Sequence, residues 1–179
     1  MKKIKGLLYC CKAKPSLMKY ENIYGYYTDT DPVLDKRALL NGKIVAECDF
    51  EVEEFDYMKA ECLTHTYLDL LKKSCLTDKQ MYDYLKGKNG YALHIKNLHI
   101  FDKPRNLYDC LIHPKIEPKY YGCEHLSKAP QNMMYVELDD IKYILISIKP
   151  ERLCKILNRE KTIVVRKVVL KEMLGEWVD

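Results

Sequence analysis

The sequence predicts an α+β fold: a small, mostly antiparallel β-barrel flanked by two or three helices. Three features predict it. Apolar residues recur with period two in several short stretches, helix-start signals stand between those stretches, and Gly, Asn and Pro punctuate the joins.

Residues 43–52 (KIVAECDFEV) place Ile44, Ala46, Cys48, Phe50 and Val52 on one parity and Lys43, Glu47, Asp49 and Glu51 on the other, the pattern of a half-buried strand. A weaker helical pattern covers 67–73. Thr77 and Gln80 then have capping-box spacing, and Met81, Tyr84 and Leu85 follow at helical intervals before Gly87 ends the run. After Asn89–Gly90, the stretch YALHIKNLHIF puts Tyr91, Leu93 and Ile95 on one parity and Leu98 and Ile100 on the other. A bulge near Lys96 and Asn97 is therefore expected. Residues 110–131 are rich in Pro, His, Lys and Tyr without period and read as a long loop. NMMYVEL and KYILISIK read as strands. Pro150 opens a helix with Leu153, Ile156 and Leu157 on one face, TIVVRK makes a further strand, and the last residues form a short helix.

At 179 residues the chain is read as a single domain, 1–179. A chain of that size buries about 70% of its unfolded surface, so neither a disulfide nor a metal is needed to fold it. Composition, 47% apolar and 31% charged, excludes a disordered or low-complexity chain. The net charge of +4 is dispersed, which permits nucleic-acid contact without arguing for it. No apolar run approaches the roughly 18 residues of a membrane span. The opening MKKIKGLLYCCKAK has too short an apolar stretch for a signal peptide, with lysines on both sides. A cytoplasmic location without a membrane partner is expected, and the eight cysteines read as mostly reduced, buried small side chains. Walker, G-x-G-x-x-G and H-E-x-x-H patterns are missing, so nucleotide hydrolysis, dinucleotide chemistry and zinc proteolysis have no motif to rest on.

The segment ILISIKPERLCKILNREKTIVVRK, residues 144–167, resembles the opening of an ASCH domain, a PUA-like barrel family. That family begins with a strand, a Ser-x-x-Pro-type helix start, a helix, and a strand carrying G-x-K-x-x-E-x-R. NGKIVAECDF, KSCLTDKQMYDYL, GYALHIKNLHIFDKPRNL and APQNMMYVE resemble the middle and end of phage-type members. Residues 1–138 thus correspond to the family's middle and end, and 142–167 to its beginning. The inverted order resembles a circular permutation joined through LDDIK, residues 138–142, which nearby termini make physically accessible. A truncated domain exchanging 144–167 with a neighbouring chain is the rival account, so the oligomeric state stays open.

The resemblance implies a cleft that takes RNA or a nucleobase-like ligand. It carries over residue by residue to Lys161 and Arg166, with Lys149, Tyr91 and His94 lining the same cleft. Two marked positions differ: the Gly falls on Arg159 and the Glu/Thr position on Val164. Arg159 removes the residue best suited to positive φ, so the turn that aims Lys161 is expected to differ. Val164 can neither transfer a proton nor attack a carbonyl. The resemblance also implies an alternative, an amidohydrolase deacetylating N4-acetylcytidine or a related acylated nucleoside, with Lys161 as base and Thr162 or an unidentified group as substitute. Thr162 lies two residues from Val164, about 7 Å at strand rise, so the enzyme reading is disfavoured. A third reading is a phage-derived protein-interaction module with a vestigial cleft. Each residue also has a plain structural account, since strand-edge charges are often solvated and a strand His is usually a packing residue. Cys110, His113, Cys123 and His125 form C-x2-H-x9-C-x-H, four zinc-ligand types at a spacing unlike the strong zinc patterns. No metal and no cofactor is assigned.

Overall fold

β1 (Ile4–Cys10) lies in the middle of the sheet and is apolar on both faces. Leu8 and Cys10 enter one buried cluster, and Leu7 and Tyr9 enter another on the opposite side. A strand covered on both faces reads as a continuous apolar run rather than an alternation. For that reason GLLYC carries no period-two mark, and sequence reasoning weighed it only as a leader.

The computed structural model describes residues 4–12, 42–58, 64–112 and 124–174. After β1 come β2 (Lys43–Phe55), α1 (Thr64–Ser74), α2 (Asp78–Leu85), β3 (Gly90–Asn106), a 3-10 turn (Leu107–Asp109), β4 (Leu111–Ile112) and β5 (Glu124–His125). These are followed by β6 (Met133–Leu138), β7 (Ile141–Ile148), α3 (Pro150–Leu157), β8 (Ile163–Arg166) and a 3-10 turn at Lys171–Leu174. The described strands form one sheet in the order β5-β4-β6-β7-β1-β2-β3-β8. Only β1 and β7 pair in parallel among them, so the fold is α+β and mostly antiparallel.

The sheet is not closed, whereas a barrel was expected. Its edge strands are short, two residues in β5 and four in β8, which leaves few main-chain groups to pair across a seam. Side chains bridge part of that gap. Arg166 at the end of β8 donates through Nη2 to the Ser147 carbonyl on β7 at 3.0 Å, and Asn132 Nδ2 donates to the Val168 carbonyl at 3.4 Å.

The expected bulge is present. Glu47 pairs with His99 and Asp49 with Lys96, so β3 carries one extra residue there, and Asn97 takes φ 49°. A second irregularity between Ile44 and Ala46 alters the predicted parity of β2: Val45 and Ala46 enter the main core while Ile44 turns to the other face. The capping box at Thr77 and Gln80 starts α2, although the left-handed stop falls on Lys86, with Gly87 also at positive φ. Asp139 and Asp140, at φ 51° and 61°, make the two-residue hairpin joining β6 to β7. Residues 110–131, read as a long loop, contain the short strands β4 and β5.

Three apolar clusters hold these elements. The main one packs α3 against β1, β2, β3, β7 and β8 through Leu153, Ile156, Leu157, Phe50, Ile146 and Val164. A second covers the other face of β1 and β7, through Tyr9, Val136 and Leu145. The third packs α1 and α2 on Ala92, Ile163 and Val165. The strand β8 is thus covered by α3 on one face and by α1 and α2 on the other.

Candidate functional site

Two helix ends meet beside β8. α1 stops with Cys75 at φ 51°, where the Leu76 amide donates to the Leu71 carbonyl at 3.2 Å and the Cys75 amide to Lys72 at 3.1 Å. α3 stops in the same way with Arg159 at φ 61°: the Glu160 amide donates to the Lys155 carbonyl and the Arg159 amide to Ile156, both at 2.9 Å. Both are Schellman stops, in which the left-handed residue is usually glycine. Arg159 thus adopts the left-handed conformation that glycine favours, so the turn leading to Lys161 has a glycine-like form, whereas the arginine was expected to alter it.

This turn delivers Lys161 into the protein. The side chain is only 4% exposed, and Nζ donates to the carbonyl of Ser74 at the end of α1. The Thr162 amide donates to Lys73 O at 2.9 Å, and Cys75 Sγ lies 3.5 Å from Glu160 O. A cation at the carbonyl end of a helix is favoured, by up to about 2 kcal/mol where partly buried. Burial nonetheless wins. It pulls the Lys161 ammonium from 10.5 down to about 8; the Cys75 sulfur opposes the shift, and Arg152, Arg166 and Lys155 add to it.

Arg166, five positions on, is a half-buried cation. Its Nη2 holds the Ser147 carbonyl, while its Nε has no surface and no hydrogen-bond partner among the described residues. Burial lowers its affinity for the proton, a hydrogen bond with Tyr84 opposes that, and Arg152 adds to it. No salt bridge joins Lys161, Arg166 or Arg152 to a carboxylate among the described residues. A buried donor left without an acceptor costs about 1–3 kcal/mol.

Of the residues singled out from the sequence, Lys161 and Arg166 lie near enough that the charge of Arg166 acts on Lys161. Tyr91 is the cross-strand partner of Arg166. Lys149 is the exposed N-cap residue of α3, and its charge, like that of Arg166, acts on the Cys11 thiol. His94 is elsewhere. It pairs across strands with Ile163, approaches Glu53 Oε2 at 2.9 Å, and lines a separate hollow of about 120 Å³ with Tyr67, Leu70 and Lys73 under α1. Thr162 is exposed and spends its backbone groups on Lys73 and Ile95, while Val164 is buried in the main core. Val164 supplies no nucleophile beside Lys161.

Sequence reasoning missed Arg152, Tyr84, Cys11 and the Ser74 carbonyl. Arg152 alone carried a local signal, as a cation in the first turns of a helix preceding the motif strand. Of the four zinc candidates, Cys110 is buried and its thiol is pushed up to about 11 by burial. His125 bonds the Tyr108 carbonyl through Nδ1 at 2.7 Å, and His113 and Cys123 lie outside the described residues. Among the described residues no group of three or more His, Cys, Asp or Glu is placed to hold a metal ion. No described helix is long and apolar enough to cross a membrane.

No family model, curated protein or solved structure matches the chain.

Proposed function

We propose that the chain is a cytoplasmic, circularly permuted ASCH-type module whose curled sheet corresponds to a PUA-like barrel. In this reading the cleft beside β8 takes RNA or a nucleobase-like ligand between Lys161 and Arg166. One observation carries it: Arg166 is half-buried near the buried Lys161, has no carboxylate partner among the described residues, and keeps a buried Nε unpaired. An acceptor-rich ligand, a phosphate or a base carbonyl, would satisfy that donor and relieve the mutual repulsion. The permutation draws support from β8, which pairs with β3 of its own chain, and from the two-residue hairpin that joins β6 to β7.

RNA oligomers titrated at two salt concentrations test this reading. Affinity should fall as salt rises, and Arg166→Ala should weaken it by about tenfold or more. Affinity indifferent to both the substitution and the salt would refute it.

A second reading, hydrolysis of an acylated cytidine, is favoured by one observation, the displacement of Lys161 to about 8, which suits a general base near neutral pH. Incubation with N4-acetylcytidine should then release cytidine, and Lys161→Met should abolish the release. Intact substrate after prolonged incubation would remove this reading and leave the binding one in place.

A further inference from the structure

A hollow shares Ser147, whose carbonyl Arg166 holds, with the Arg166 site. It measures about 380 Å³ and is lined by Tyr9, Cys11, Lys12, Ser127, Lys128 and Ser147, among others. Among the described residues two lysines and no carboxylate face it. The lining meets the Arg166 site at two points. Ser147 presents its carbonyl to Arg166 Nη2 at 3.0 Å, and the Cys11 thiol, raised chiefly by burial, is pulled back down by Arg166 and Lys149. Lys12 is laid across Gly42, whose positive φ and bare Cα leave room for it: a Cβ there would come within 2.9 Å of Lys12 Cε. Lys12 and Lys128 thus line the hollow itself, while Lys149 and Arg166 lie close enough to its Cys11 for their charges to act on that thiol.

An aromatic platform stands next to that hollow in the chain. Tyr108 follows Leu107, which also lines the hollow, and its ring stacks on His125 with centroids 4.2 Å apart and planes 11° from parallel. Tyr108 remains 63% exposed although its ring is held in place. An exposed aromatic face beside a cationic groove is the arrangement that single-stranded nucleic acids use, with phosphates in the groove and a base on the ring.

We infer that the hollow lined by Lys12 and Lys128 holds a backbone phosphate of single-stranded RNA flanking the nucleotide at Arg166, with Tyr108 stacking a neighbouring base. The inference rests on the binding reading and extends it from one nucleotide to a strand. It assigns base or carbonyl recognition to Lys161 and Arg166 and length dependence to the exposed Lys12 and Lys128.

The test compares a single nucleoside with a single-stranded RNA hexamer on the full chain, reading the ratio of the two affinities. In the double variant Lys12→Ala/Lys128→Ala the hexamer advantage should fall about tenfold, and the slope of log affinity against log salt should flatten by about 0.7, the share of one phosphate on a single strand. Tyr108→Ala should lower hexamer affinity a further fivefold or so. All three positions are exposed, so the variants should fold as the parent does. An unchanged hexamer-to-nucleoside ratio and salt slope, with binding still lost in Arg166→Ala, would overturn the inference and leave the binding reading standing. Failure of both hexamer and nucleoside to bind the parent would overturn both. Equal binding of double-stranded and single-stranded RNA would overturn the stacking role of Tyr108.

Discussion

Lys161 donates its ammonium to the carbonyl of Ser74, so a cation delivered by the end of α3 closes the carbonyl end of α1. The contact ties two helices that pack on opposite faces of β8. It also keeps a charge where little of it meets solvent.

That placement makes stability depend on pH in a definite sense. Lys161 holds its proton up to about 8 in the folded chain and up to 10.5 when solvated. Between those values the unfolded chain binds the extra proton, so raising the pH stabilises the folded state. The full window is worth on the order of 3 kcal/mol. Urea unfolding of the parent and of Lys161→Met at pH 7 and pH 10 should show the difference moving in the parent's favour as pH rises. A difference that stays flat would mean that Lys161 is solvated.

The buried thiols act in the opposite direction. Burial pushes the Cys154 thiol from 9.0 to about 11, so above pH 9 the unfolded chain loses that proton first and the folded state weakens. The destabilisation caused by Cys154→Ala should therefore shrink between pH 8 and pH 10.5, by up to about 2 kcal/mol. A penalty independent of pH would place this thiol in contact with solvent.

Arg159 holds a left-handed conformation at the end of α3 that costs a non-glycine residue about 1 kcal/mol. Arg159→Gly should raise the unfolding free energy by up to that amount, measured by denaturant titration, because the Schellman hydrogen bonds are already made. A loss of stability would show that the arginine side chain contributes more than its backbone strain removes.

Gly6 on β1 faces the ring of Phe50, and a Cβ at Gly6 would overlap that ring. Phe50 is fully buried and cannot swing into solvent. Gly6→Ala should cost about 1–3 kcal/mol, with partial recovery in the double variant Gly6→Ala/Phe50→Leu. Neutral behaviour of the single variant would place the ring elsewhere.

The elements legible in the sequence were those whose signal is local. The α2 capping box needs only Thr77 and Gln80, three residues apart, and the bulge at Asn97 shows as a change of parity within one strand. Pro150 and the apolar face of α3 are equally short-range. Lys161 and Arg166 were named through a resemblance, and the pattern does show that both belong to one short strand and the turn before it. Nothing local showed that Arg159 would keep the glycine-like turn, or that His94 would face a different hollow, since the face of β3 a residue joins depends on what packs there.

The amino-acid sequence by itself determined where the alternating strands and the capped helices begin, because hydrogen-bond caps, turn residues and alternation act over a few residues. The tertiary structure decided the rest: that the uniform apolar run of β1 lies mid-sheet, that the sheet stays open at β5 and β8, and that Lys161 ends at a helix terminus 87 residues away. Burial and electrostatics are properties of the neighbours a residue acquires, and those neighbours come from distant parts of the chain.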